Sequence, residues 1–315
     1  MSRLSLTSMK QYLAKSISSI NQNKLNGILA EIDLRAALIR LGFEGRISQG
    51  GWIARNDGAN VFGHHSVIFF PMIIEPDTDY DILNKPPQIP RGLHTICSTM
   101  HQIGIHSYYC IPGTLINNDP NSVVWYATQL GIPEEDSYHS FEDLFNNFNK
   151  RERRYNFLRY ASESNLIPEH AIAEQFTKEN IRVCFQNLFM SEMSDVDGIL
   201  WGQEKTYPLE IKEKTVGHSR KVGDFFGIDV GPFVKLAFYA AKRGNLHSLF
   251  IVKEIDNITD RNLVNWWFIT FDKLAQYASW VPIGGGTNMQ GGGSSTIIIP
   301  KSEFMPLDAS HLNQL

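Results

Sequence analysis

Residues 194–215, "SDVDGILWGQEKTYPLEIKEKT", contain two runs of strand-forming residues with charged side chains at regular spacing. Asp195 and Asp197 open the first run, and Glu210 and Lys212 lie two positions apart within the second. Because side chains two apart on a strand share a face, Glu210 and Lys212 should project together while their apolar neighbours face a core. The polar turn between the runs predicts a β-hairpin, which can set an aspartate of one strand beside Glu210 of the other.

Two carboxylates and an ammonium group at one place suit the hydrolysis of a phosphodiester. Carboxylate oxygens are hard ligands of the kind that Mg²⁺ prefers, and a bound metal acidifies its water and offsets negative charge in the transition state. A nearby lysine can orient the attacking water or help to deprotonate it. Asp195 and Asp197 should point to the same face of the predicted strand, so either could be the aspartate of the site. Asp197 is favoured because it lies next to the apolar run. The alternative interpretation is a surface hairpin whose outer face carries solvated charges.

The residues D-G-I-L-W and L-E-I-K, followed by a predicted helix and strand, resemble the PD-(D/E)xK nuclease superfamily, most closely its type II restriction endonucleases. The resemblance covers about residues 194–255, with Val196 in place of the proline of the namesake motif. It implies that Asp197 and Glu210 hold the metal and that Lys212 is the catalytic lysine. The implied cofactor is Mg²⁺, for which Mn²⁺ can substitute.

Outside this core, apolar residues at helical spacing predict a helix over about residues 25–41 and further helices between residues 136 and 188. We therefore expect an α/β fold, with a mixed central β-sheet flanked by helices in a restriction-endonuclease-like core and an additional helical N-terminal region. The expected division is an N-terminal DNA-embracing region at 1–160, possibly including the first core helix, and a catalytic core at 161–315.

Several acidic and basic residues are candidate auxiliary groups. Glu31, on the first predicted helix, resembles the extra glutamate that many family members carry there. Glu174, on a later predicted helix, is the alternative, and either could be an ordinary solvated glutamate. Asp195 is the second choice for the metal-binding aspartate. Lys235, in the first turn of the predicted helix after the hairpin, is expected to face the hairpin and touch the DNA backbone.

Two basic clusters are candidate contacts for DNA phosphates. The cluster after the motif comprises Lys214, His218, Arg220 and Lys221, and an earlier one includes Arg151, Arg153 and Arg154. A basic run is equally typical of a solvated helix face. The formal net charge of −4 means that any contact with nucleic acid must come from such local patches. The glycine triplets within residues 284–293 do not match a nucleotide-binding fingerprint and are expected to form a flexible loop.

The cysteines and the apolar runs indicate the compartment. Three cysteines at wide spacing (Cys97, Cys110 and Cys184) argue against a disulfide framework and against a cysteine-based zinc site. The chain lacks an apolar block of signal-peptide length at its N-terminus, and its longest apolar run is too short to span a bilayer. A soluble cytoplasmic protein without a membrane partner is therefore expected.

The predicted function is Mg²⁺-dependent cleavage of double-stranded DNA by a type II site-specific deoxyribonuclease. A palindromic site has a twofold axis, so a homodimer is expected, with one active site for each strand. A cognate DNA methyltransferase should be encoded nearby, because a site-specific nuclease endangers its own host. The alternatives are a structure-specific repair or junction-resolving nuclease and, in another class, a non-catalytic DNA-binding or assembly protein.

Overall fold

The chain forms two compact units in the computed structural model. The structure describes residues 3–17, 22–48, 50–56, 67–78, 87–101, 104–113, 116–131, 137–151, 167–240, 246–279, 283–289 and 292–315. The first unit comprises Met1–Ile28 and Gly51–Asp195, and the second comprises Leu29–Gly50 and Val196–Leu315. The predicted boundary at residue 160 differs from this division, because the long helix that follows it packs on the strands of the first unit.

Helices and strands alternate along the described chain. The helices are α1 (Leu6–Ile17), α2 (Gln22–Arg40), α3 (Arg91–His101), α4 (Phe141–Leu144), α5 (Ile172–Leu188), α6 (Val230–Ala240), α7 (Phe271–Tyr277) and α8 (Ala309–Leu312). The first strands are β1 (Ile47–Ser48), β2 (Gly51–Asn56), β3 (Val67–Pro71), β4 (His106–Pro112), β5 (Trp125–Gln129), β6 (His139–Ser140), β7 (Ser191–Val196) and β8 (Ile199–Trp201). The remaining strands are β9 (Thr206–Lys214), β10 (Gly217–Ser219), β11 (Gly223–Asp229), β12 (Leu249–Ile255), β13 (Leu263–Thr270), β14 (Ile283–Met289), β15 (Gly292–Pro300) and β16 (Met305–Pro306).

The first unit is built on a six-stranded mixed sheet, with strand order β6-β5-β4-β3-β2-β7. Strands β3 and β4 are parallel and lie on either side of α3 in the chain, whereas β4 and β5 are antiparallel. Phe69, Phe145 and Phe185 pack ring against ring between this sheet, α4 and α5. The N-terminal region thus contains this mixed sheet as well as the helices that were expected there. Strand β4 is buried at every residue but its first, so its sequence lacks the alternation by which a half-exposed strand is recognised.

The second unit contains the larger part of the predicted core. Its main sheet has the order β1-β8-β9-β12-β13-β16. Strands β9 and β12 are parallel, with α6 between them in the chain, and the other pairs are antiparallel. The predicted α/β class, with mixed sheets flanked by helices, is confirmed. Every residue of β12 is buried, as expected for a central strand covered on both faces.

The two faces of this sheet pack against different helices. Leu209 and Ile211 of β9 belong to the core that includes Ala30, Leu34 and Leu38 of α2. On the other face, Phe250 and Val252 of β12 pack in the core that includes Leu236 of α6 and Leu274 of α7. Residues of alternating parity on β9 therefore point to α2 or to α6, which decides where its charged side chains lie.

Helix α2 ends in a Schellman motif at Gly42. Gly42 has φ of +83°, and its N–H donates to the carbonyl of Ile39 at 2.9 Å. The N–H of Phe43 donates to the carbonyl of Leu38, also at 2.9 Å, and both side chains are buried in the same core. The left-handed conformation of Gly42 thus lets two backbone N–H groups bond to the last carbonyls of the helix, and it turns the chain toward β1.

A second, four-stranded sheet in this unit has the order β10-β11-β15-β14 and is antiparallel throughout. The glycine triplets lie largely in β14 and β15, so their prediction as a flexible loop is wrong. Glycine carries no side chain, and a glycine-rich strand therefore shows no hydrophobic pattern. Among the described helices, none combines the length and the apolar character needed to cross a membrane.

Candidate active site

The predicted hairpin between the Asp-headed strand and the Glu-x-Lys strand is confirmed. Strands β8 and β9 are antiparallel, with Ile199 opposite Pro208 and Trp201 opposite Thr206. The N–H of Leu209 donates to the carbonyl of Gly198 at 2.9 Å, which continues the same register beyond β8. One more step along this register places Asp197 opposite Glu210.

Asp197 lies in the short break between β7 and β8, and its side chain reaches β9. Its Oδ2 accepts a hydrogen bond of 2.6 Å from the backbone N–H of Ile211. Ile211 lies between Glu210 and Lys212 in the chain, so this bond ties the Asp197 carboxylate to the strand that carries both side chains. Asp197 is buried, and hydrogen bonds to a buried carboxylate are among the stronger ones in proteins.

Gly50 supports Asp197 from the other side, and sequence reasoning did not single it out. It adopts φ of +78°, and its N–H donates to the hydroxyl of Ser48 at 3.1 Å. A Cβ at this position would lie 1.9 Å from the carbonyl oxygen of Val196 and 3.0 Å from the carbonyl carbon of Asp197. Only glycine allows this close approach of two backbones. The glycine pair Gly50–Gly51 at the start of β2 was the feature that could have indicated it.

Glu31 of α2 joins Asp197, as the resemblance implied for a glutamate of the first core helix. Carboxylate oxygens of Glu31, Asp195 and Asp197 lie within 4.8 Å of one another. Asp195 precedes Asp197 by two residues, so the local chain keeps the two aspartates close. The alternative, Glu174, forms an ion pair of 3.7 Å with Lys178 of its own helix. The group of three carboxylates offers the hard oxygen ligands that a small divalent cation requires.

Glu210 is held by two lysines from two different elements. Its side chain is 2% exposed; Oε1 lies 2.6 Å from Nζ of Lys212, and Oε2 forms an ion pair with Nζ of Lys235. The first contact shows that Glu210 and Lys212 share a face of β9, as predicted. Lys235 faces the hairpin, as expected, but from the second turn of its helix, because α6 begins at Val230. Among the described residues, Glu210 is not a member of the three-carboxylate group.

A separate ion-pair network lies on the α2 face of the same strand. Nζ of Lys253 on β12 lies 2.5 Å from Asp33 of α2 and 3.4 Å from Glu213 of β9. Glu213 is also paired with Arg261. These contacts link α2, which carries Glu31, to the strand that carries Glu210. The sequence contained no indication of this network, because its members are far apart in the chain.

The basic residues predicted to contact DNA are placed in different environments. Burial lowers the pKa of the Lys214 ammonium. The nearby Asp229 carboxylate acts to raise this pKa, and the Lys212 ammonium acts to lower it. His218 is exposed and lies 3.0 Å from Asp224. Arg220 and Lys221 are exposed in the turn between β10 and β11.

The earlier basic cluster is described only in part. Arg151 is partly buried in the first unit, and its Nε donates to the carbonyl of Phe189 at 3.5 Å. Arg153 and Arg154 lie outside the described residues.

Comparisons with protein-family models, curated proteins and solved structures give no match to this chain. Its function must therefore be inferred from the side chains of the site.

Proposed function

We propose that the chain is a Mg²⁺-dependent endonuclease that cleaves double-stranded DNA at a specific sequence, with a core like that of type II restriction endonucleases. The hydrogen bond from the Ile211 N–H to Asp197 is the observation that carries the proposal. It brings an acidic residue to the strand that holds Glu210 and Lys212. The chain order of β8, β9, α6 and β12 also supports it, since the resemblance rests on that order.

The residues present fit a divalent cation. Glu31, Asp195 and Asp197 provide carboxylate oxygens at close range, and among the described residues no histidine or cysteine joins this group. When ionised, the three carboxylates carry three negative charges, which a divalent cation would largely offset. A cation held by Asp197 and its neighbours would polarise the phosphodiester and lower the pKa of the attacking water.

The protein's own groups then position the substrate. The side chain of Lys212 is 38% exposed, so its ammonium can meet a phosphate oxygen that approaches from solvent. There it would stabilise the negative charge that develops on the phosphate during the attack. Arg220 and Lys221, exposed on the neighbouring hairpin, are proposed to contact phosphates further along the DNA.

The test is cleavage of a supercoiled plasmid in Mg²⁺ by wild-type protein and by Asp197→Asn. Asparagine keeps the acceptor for the Ile211 N–H but removes the charge, so the rate should fall by at least about 100-fold with the fold intact. Asp260→Asn, an exposed aspartate of the same unit, is the matched control and should cut normally. If Asp197→Asn cuts at the wild-type rate, Asp197 is not the ligand and Asp195 is the next candidate.

The ends of the fragments distinguish the alternative functions. Identical ends support a type II restriction enzyme, scattered ends support a structure-specific nuclease, and metal-independent binding without cutting supports a DNA-binding or assembly protein. Cleavage of both strands is proposed to need two copies of the chain. Mixing wild-type protein with Lys212→Ala should then accumulate nicked circles, whereas independent monomers should still produce linear DNA.

A further inference from the structure

The charge of the buried Glu210 carboxylate is compensated by two lysines. Removing a carboxylate from water costs several kcal/mol unless opposite charges compensate. Each oxygen of Glu210 has its own lysine, Lys212 on one side and Lys235 on the other. The carboxylate therefore holds two ammonium groups beside each other, although one comes from β9 and the other from α6.

The two lysines keep contact with solvent while Glu210 does not. Their side chains are 38% and 18% exposed, against 2% for Glu210. Two ammonium groups and one carboxylate carry one net positive charge, which favours an anion at the solvent side. A lysine ammonium has three N–H donors, so it can bind a carboxylate and a phosphate oxygen together. The arrangement thus suits a phosphodiester, whose single negative charge would neutralise the group.

We propose that Glu210 anchors Lys212 and Lys235 rather than binding the metal, and that the two lysines together hold one phosphodiester of the DNA. The inference rests on the proposed nuclease function and assigns metal binding and phosphate binding to different residues. Glu31 and Asp197 of the second unit, with the adjacent Asp195, would bind the cation. Lys212 and Lys235 would bind the phosphate. Lys235 is then a second phosphate-binding residue, held in place before DNA arrives, which lowers the ordering cost of binding.

The first experiment measures DNA binding without metal. A random-sequence duplex is titrated in excess EDTA at several KCl concentrations, with fluorescence anisotropy as the readout. Loss of one phosphate contact should reduce the slope of log K against log[KCl] by about 0.9. Lys235→Met should show this reduction and Lys235→Arg should largely restore it, because arginine keeps the charge. The control is Lys273→Met, an exposed lysine of α7, which should leave the slope unchanged. An unchanged slope for Lys235→Met overturns its phosphate contact.

The second experiment measures metal binding without DNA. Calcium chloride is titrated into wild-type protein, Glu210→Gln and Asp197→Asn in a calorimeter, with circular dichroism to confirm that each variant is folded. We expect Asp197→Asn to weaken Ca²⁺ binding by at least about tenfold, and Glu210→Gln to weaken it by no more than about threefold. Equal losses in the two variants overturn the anchor role and make Glu210 a ligand. Failure of the wild-type protein to bind Ca²⁺ refutes the proposed function itself, which is a separate result.

Discussion

Replacement of Gly50 by alanine should disable the site through the backbone alone. The new Cβ would lie 1.9 Å from the Val196 carbonyl oxygen, and real Cβ atoms do not approach such an atom closer than 3.0 Å. The two backbone segments must therefore separate by about 1.1 Å, the difference between these distances. A shift of that size would stretch the 2.6 Å hydrogen bond from Ile211 to Asp197 beyond hydrogen-bonding range. Misplacement of a catalytic group by 1 Å can cost about 100-fold in rate, and we expect that loss.

Gly42→Ala is the matched control for Gly50→Ala. Both glycines have φ near +80°, so alanine at either position pays about 1–2 kcal/mol for the left-handed conformation. A Cβ at Gly42 meets nothing within 4 Å, whereas one at Gly50 meets the backbone before Asp197. The assay is the initial rate of plasmid cleavage at saturating Mg²⁺, with thermal unfolding measured in parallel. Equal rates for the two variants would refute the claim that Gly50 positions Asp197.

Three further outcomes are expected. Lys253→Met should destabilise the second unit by about 3 kcal/mol, because it removes a buried partner of Glu213. Hydrogen exchange should then speed up in α2 and β9, whereas Lys301→Met, which breaks a different buried pair on β12, should leave α2 unchanged. Burial lowers the pKa of His247, so the unfolded state binds its proton more tightly and stability should fall as the pH drops below about 6.5. His247→Gln should flatten that pH dependence in urea unfolding. Ca²⁺ should support DNA binding without cleavage, and excess EDTA should abolish cleavage.

The hairpin of the site was predictable because its pattern is local. In residues 206–214 the alternation of charged and apolar side chains distinguishes the face of Glu210 and Lys212 from the face of Leu209 and Ile211, and the polar turn sets the register. Strand β4 could not be predicted in the same way, since a strand buried on both faces has no alternation. The long helix α5 was predicted, but its place in the first unit was not, because packing partners are not encoded in helical spacing.

The choice between Glu31 and Glu174 shows why the site could be predicted only in part. Both lie on helices that were predicted from spacing, and nothing in either sequence distinguishes them. The distinction comes from packing: apolar residues of α2 pack in the core that includes Leu209 and Ile211, and this packing brings the partly buried Glu31 to Asp197. Tertiary contacts of this kind cannot be inferred from one chain without the fold.

Strand β9 explains how residues so distant in sequence are held at one place. Its even-numbered positions present Glu210 and Lys212 to α6, where Lys235 pairs with Glu210. Its odd-numbered position 213 faces α2, and the buried pair with Lys253 continues to Asp33, two residues after Glu31. The helix that carries Glu31 is therefore linked to charges on one face of β9, whereas the lysine pair is held on the other face. Successive side chains of a strand point to opposite faces, so a register shift of one residue in β9 would exchange the two faces. Both the lysine pair and the link to α2 would then be lost.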